Sequence, residues 1–143
     1  LVLLVLNLAL SFPLGLGVFD SAADALLAAL LELVLSAGLL FAALQLQGRS
    51  NRWRQSYSAL LGIGLLGTLL TMLYRSLALA LGTPVLAATL DLVVFFWLLL
   101  AMGHVVRHTF EIPLPFGILI AFAYTMFLLG LIAQWFPELA AQA

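Results

Sequence analysis

Residues 59–70 read A-L-L-G-I-G-L-L-G-T-L-L, which places Gly62, Gly64 and Gly67 in the G-x-G-x-x-G spacing of a dinucleotide-binding turn. That spacing has chemical meaning only where it follows a strand, opens a helix and precedes an acidic residue by about 20 positions. Here it sits inside a run of apolar residues, where a bound pyrophosphate would have to lie in hydrocarbon. On a helix, successive residues turn by about 100°, so the three glycines do not share a face. Gly64 instead aligns with Thr68, Thr71 and Arg75, a stripe that is small at one end and polar at the other. Small residues let helices approach closely in lipid, where association depends on packing. These glycines therefore read as helix-packing surface, and no nucleotide is expected.

Composition supports lipid as the solvent. The chain is 66% hydrophobic and only 8% charged, with a mean hydropathy of +1.26. Soluble domains average about 45–50% apolar and about 25% charged residues. A water-soluble fold of this length cannot hide so much apolar surface. The net charge of −1 leaves no basic patch for a nucleic-acid backbone. Without cysteine, disulfides, thiolate metal sites and cysteine nucleophiles are all excluded. The basic residues are all arginine, a usage that points to a GC-rich bacterial genome. Residue 1 is a leucine within an apolar run, so the natural chain is expected to continue upstream.

A membrane-crossing helix needs about 20 apolar residues. By that measure the chain predicts a polytopic all-α bundle of five spans, near residues 1–19, 21–47, 56–81, 85–106 and 115–136. Ser21-x-x-Asp24 has capping-box spacing, and Thr83-Pro84 offers a capping hydroxyl before a proline at the first helical position. Pro113 and Pro115 stop one helix and start the next, while Pro13 should kink the first segment. Arg49, Arg52 and Arg54 share one loop and Arg107 the loop two spans later; Asp20, Asp24 and Glu138 fall on the other side. The positive-inside rule then predicts a bacterial inner-membrane protein with its N-terminus cytoplasmic and its C-terminus periplasmic. Trp53 and Trp135 lie near span ends, where interfacial aromatics belong.

Two further faces carry small residues. One runs through Ala25, Ala28, Glu32, Ser36 and Ala43, the other through Gly117, Ala121, Tyr124 and Thr125. They suit either the bundle interior or contact with another membrane protein or a second copy.

Ionisable groups at membrane depth cost about 2.5–3.5 kcal/mol on insertion scales, which marks them as candidate sites. Arg75 and Asp91 flank the Leu81–Pro84 turn almost symmetrically and are expected to pair as a hairpin clasp. Glu32 lies about 18 Å along its helix from the Asp20 turn. Asn7 and Thr71 are placed at similar depth. At that depth the neutral acid is the cheaper form, and it would either hydrogen-bond to Asn7 or Thr71 or serve as a proton or cation relay. His104, His108 and Glu111 form H-x-x-x-H-x-x-E, whose helical spacing could hold a zinc. Glu111 could instead pair with Arg107 at i, i+4, leaving the histidines in a solvated basic rim. No Ser-His-Asp grouping, H-E-x-x-H helix or phosphate loop occurs, so neither an enzyme nor a cofactor is expected.

The layout, and the stretch R-W-R-Q-S-Y-S-A-L-L-G-I-G-L-L-G-T-L-L at 52–70, resembles bacterial members of the Yip1 family of small multi-span proteins. That resemblance implies five spans and a membrane-organising or partner-binding role. The D-L-Y-G-P signature of eukaryotic relatives is not found here, so small-GTPase binding is not implied. The sequence thus predicts a scaffold, assembly factor or subunit working through helix packing, with a small transporter using Glu32 as the alternative.

Overall fold

The computed structural model describes residues 2–15 and 21–135, all of whose extended regular structure is helical. The elements are α1 (Val2–Gly15), α2 (Ala22–Leu46), a short 3-10 turn (Ser50–Arg52), α3 (Trp53–Leu81), α4 (Pro84–Phe110) and α5 (Leu114–Trp135). Four of these helices, α2 to α5, are long and apolar enough to cross a membrane. The 14 residues of α1 rise only about 21 Å, short of the roughly 30 Å hydrocarbon thickness. Asp20, Glu138 and residues 16–19 of the first predicted span lie outside the described residues.

Local chemistry sets the helix ends. Ser21 caps α2 by accepting from the Asp24 amide at 3.1 Å, and its hydroxyl donates to the Asp24 carboxylate. At the end of α3, Gly82 adopts φ 64°, a left-handed conformation that carries no Cβ penalty in glycine. Pro84 then opens α4 at its first position, where a missing N–H leaves no bond unmade. Thr83 occupies the expected cap position, but its side chain makes no capping bond. Its backbone carbonyl takes the Leu86 amide instead, at 3.1 Å. Pro113 forces α4 to end, and its carbonyl accepts the Phe116 and Gly117 amides that begin α5.

Helix α3 is the hub of the bundle, touching α1, α2 and α4, while α5 packs along α4. The core joins Leu33, Leu40 and Leu44 of α2 to Tyr57 and Leu61 of α3, with Leu3, Leu4 and Leu8 of α1 against it. Polar tips register these helices. Tyr57 donates its buried hydroxyl to the Leu33 carbonyl at 3.0 Å, and Trp53 Nε1 donates to the Ala37 carbonyl at 3.2 Å. Trp53 stacks on Tyr57 and meets Phe41 edge-on. Tyr57→Phe is expected to lower stability by about 0.6 kcal/mol, typical of a hydrogen bond between membrane helices. A detergent unfolding titration against the parent chain measures it.

The packing faces differ in part from the small-residue stripes. Ala25 and Ala28 are buried, but farther along α2 the buried positions are Leu33, Leu40 and Leu44 rather than Glu32 and Ala43. The face rotates because Trp53 and Tyr57 draw the carbonyl side of Leu33 and Ala37 toward α3. In α5 the expected positions Gly117 and Ala121 are buried, together with Leu128.

The glycines of α3 serve different neighbours. Gly64 lies against Asn7 of α1, and Gly67 is buried against Leu98 of α4. Thr68, on the same stripe, is half-buried. The closest helix approach is elsewhere, between α4 and α5. A methyl group on Gly103 would stand 2.8 Å from Ile118 Cα, and one on Gly117 would meet the Gly103 carbonyl oxygen and the Arg107 amide. Backbone faces backbone there.

Candidate functional site

Three polar centres stand out along the bundle. The first is at the arginine-rich end, where the loop after α2 meets the end of α4. Glu111 ends α4 with φ 57°, a left-handed conformation rare for residues other than glycine. Its carboxylate receives Arg49 at 2.7 Å and Arg52 at 3.0 Å. Arg52 also approaches the His108 carbonyl at 3.5 Å. The two arginines thus clasp the loop onto the helix end and hold the strained residue in place.

This arrangement corrects the expected Arg107–Glu111 pair. Once Glu111 turns left-handed, the helical i, i+4 geometry is lost, and the carboxylate swings toward Arg49 and Arg52. Arg107 contributes only its backbone carbonyl, which accepts the Ile112 amide at 3.2 Å. His104 and His108 do share a face, with ring centroids 4.5 Å apart. Glu111 is held elsewhere, and among the described residues no three His, Asp or Glu side chains converge on a metal position.

The Arg49 hydrogen bond and charge, with Arg52 adding to them, hold the Glu111 carboxyl below its ordinary value. A lowered folded-state value means the clasp's contribution is complete above the ordinary glutamate range and disappears as pH falls through the lowered value. An acid titration followed by Trp53 fluorescence should show this loosening, and Glu111→Gln should abolish the pH dependence.

The second centre lies at the opposite end. Arg75 of α3 and Asp91 of α4 approach to 3.2 Å, with Nε also within 3.3 Å of the same carboxylate oxygen. The buried Tyr74 hydroxyl donates to that oxygen as well. Thr71 lies one turn earlier on α3 and is half-buried. Tyr74 gave no sequence signal as a partner, because its role depends on Asp91 lying across the hairpin.

The third centre is Glu32. It is exposed at the bundle surface, and among the described residues it makes no hydrogen bond or ion pair. Tyr124 of α5 is half-buried and lies within electrostatic reach of Glu32, while the Ser36 hydroxyl donates to the Leu33 carbonyl at 3.0 Å. The expected bonds from Glu32 to Asn7 or Thr71 are replaced by other contacts. Asn7 donates to the Leu61 carbonyl at 3.1 Å. Tyr57 reaches Leu33, beside Glu32, and Thr71 lies 14 residues farther along α3, a rise of about 21 Å. Register, set by the aromatic tips, separates the two.

Together, four apolar spans, small-residue contacts between them and ionisable side chains placed mostly toward the two ends define a multi-pass α-helical membrane protein. No family model, no curated protein and no solved structure matches the chain.

Proposed function

We propose that this chain is a scaffold or assembly subunit of a bacterial inner membrane that binds another membrane protein, or a second copy of itself, through its helix faces. The observation that carries this reading is a set of glycines inside helices that, among the described residues, pack against nothing. Methyl groups added at Gly38 of α2, Gly62 of α3 and Gly130 of α5 would meet no atom within 4 Å. A mid-helix glycine is about 1 kcal/mol less favourable than alanine. In lipid such positions suit the close approach of another helix. Gly38 and Ala42 form a small-x-x-x-small pair on the exposed side of α2.

In this reading the end bearing Arg49, Arg52, Arg54 and Arg107 faces the cytoplasm, following the positive-inside rule. If the first segment crosses the membrane, the N-terminus is cytoplasmic and the C-terminus periplasmic. The Yip1-like layout fits the same role and is proposed on layout alone. Cross-linking and affinity purification from native membranes test the proposal. Gly38→Ile and Gly62→Ile should eliminate co-purifying membrane protein or self-association while helix content stays unchanged. A chain that is monomeric and partnerless in native membranes contradicts it.

One observation favours a second reading, a proton- or cation-coupled subunit: Glu32 is exposed without a hydrogen-bond partner among the described residues and has Tyr124 nearby. In proteoliposomes, Glu32→Gln should abolish any flux of this kind; unchanged flux refutes this reading.

A further inference from the structure

Charge is distributed very unevenly in this molecule. Of its five arginines, four (Arg49, Arg52, Arg54 and Arg107) lie at one end of the bundle, whereas Glu111 is the only acid among the described residues of that end. One carboxylate shared between Arg49 and Arg52 leaves an excess of positive charge there.

Between the start of α3 and the end of α4, that same end opens into a cleft of about 390 Å³ lined by Arg52, Gln55, Ser56, His104, His108 and Thr109. The volume is within the range of small-molecule sites. Arg52, Gln55, His104 and His108 are exposed around it, and the Arg52 side chain remains 44% accessible despite its contact with Glu111. The base is polar and buried. Thr109 and Ser56 are 4% and 6% exposed, and their hydroxyls share one hydrogen bond of 2.9 Å. Thr109 donates to Ser56, so each of these buried hydroxyls has a partner in the other.

We propose that this cleft binds a phosphate group, and that the group belongs to an anionic phospholipid of the surrounding leaflet. The chemistry matches feature by feature. Phosphate oxygens accept from the guanidinium, the glutamine amide and the imidazole N–H groups. Helix lengths favour the lipid over free phosphate. The 29 residues of α3 and 27 of α4 rise about 43 and 40 Å, against a hydrocarbon core of roughly 30 Å. Each helix therefore protrudes into the headgroup layer. The cleft lies within the first two turns of α3 and the last two of α4, at the level where lipid phosphates sit. Basic pockets between membrane helices are a recognised form of headgroup site. The inference requires only that the helices span the bilayer, not that the protein acts as a scaffold, so failure of either proposal leaves the other intact.

The test titrates the full-length protein, in neutral detergent, with phosphatidylglycerol, phosphatidylcholine or inorganic phosphate. Bound lipid is counted by native mass spectrometry, and phosphate by the broadening of its phosphorus resonance. Phosphatidylglycerol should be retained more strongly than phosphatidylcholine, and Arg52→Gln should weaken that retention about fivefold, the effect of about 1 kcal/mol per basic residue near a membrane surface. Ala59→Trp fills the cleft from an exposed position and leaves every charge in place. It should lower retention at least as much while helix content is maintained. Equal retention of the two lipids, or retention unaffected by Ala59→Trp, overturns the proposal. Phosphate broadening without lipid selectivity overturns the assignment to lipid and identifies free phosphate as the ligand.

Discussion

Gly117→Val is expected to be the most damaging single substitution in the α4–α5 hairpin, costing about 3 kcal/mol, the upper end of the range for overpacked cores. The reason lies in what the added atoms would meet. A Cβ at Gly117 overlaps the Gly103 carbonyl oxygen and comes 3.1 Å from the Arg107 amide, both of them backbone. A backbone cannot change rotamer, so the helices must separate and lose contact along their length. Gly103→Val should behave alike, because its neighbours include the backbone of Ile118. Two controls isolate the effect. Among the described residues, Gly67→Ala meets only the flexible tip of Leu98, and Gly62→Ala meets nothing. Reversible unfolding in mixed detergent micelles should therefore rank Gly117→Val far below both. If Gly117→Val proves as stable as Gly62→Ala, the close α4–α5 approach is wrong.

Loss of one member of the Arg75–Asp91 pair should cost about 2 kcal/mol, and loss of both should cost less. Stranding one charge of a buried pair costs about 3–5 kcal/mol, while exposed pairs contribute about 1 kcal/mol or less. The side chains here are 51% and 39% accessible, which places them between those limits. Asp91→Leu leaves the guanidinium without its carboxylate and the buried Tyr74 hydroxyl without its acceptor. Arg75→Leu leaves Asp91 with Tyr74 alone. The double variant, Arg75→Leu with Asp91→Leu, removes both charges and strands only the tyrosine. A double-mutant cycle on unfolding free energies measures the coupling. A double variant less stable than either single variant would show that the two charges do not support one another.

Much of this arrangement could be read from residue order. Arg75 and Asp91 stand at nearly equal distances from the Leu81–Pro84 turn, and an antiparallel hairpin with a short turn leaves them little choice but to meet. Gly117 and Ala121 were legible for a similar reason, since small residues four apart on an apolar helix mark a close-packing face. Gly103 was harder to see. It stands alone between larger residues, and its significance comes from Gly117 and Ile118 on the other side of the Pro113 turn. The Glu111 clasp was less legible still. Helical spacing pointed to Arg107, and only the left-handed turn at Glu111, with the α2–α3 loop folded beside it, brings in Arg49 and Arg52.

What residue order settled was the solvent and the segments: a chain this apolar must satisfy its backbone within helices, and prolines, glycines and caps decide where each one stops. Which side of each helix meets which neighbour was decided only in three dimensions. Rotation and register depend on summed contacts among several helices, such as Tyr57 reaching Leu33 and Asn7 reaching Leu61, and those contacts do not exist until the helices assemble. Glu32 shows the difference most clearly. Its depth follows from counting residues, but its exposure, and its company of Ser36 and Tyr124 rather than Thr71, follow from how α2 turns against α3.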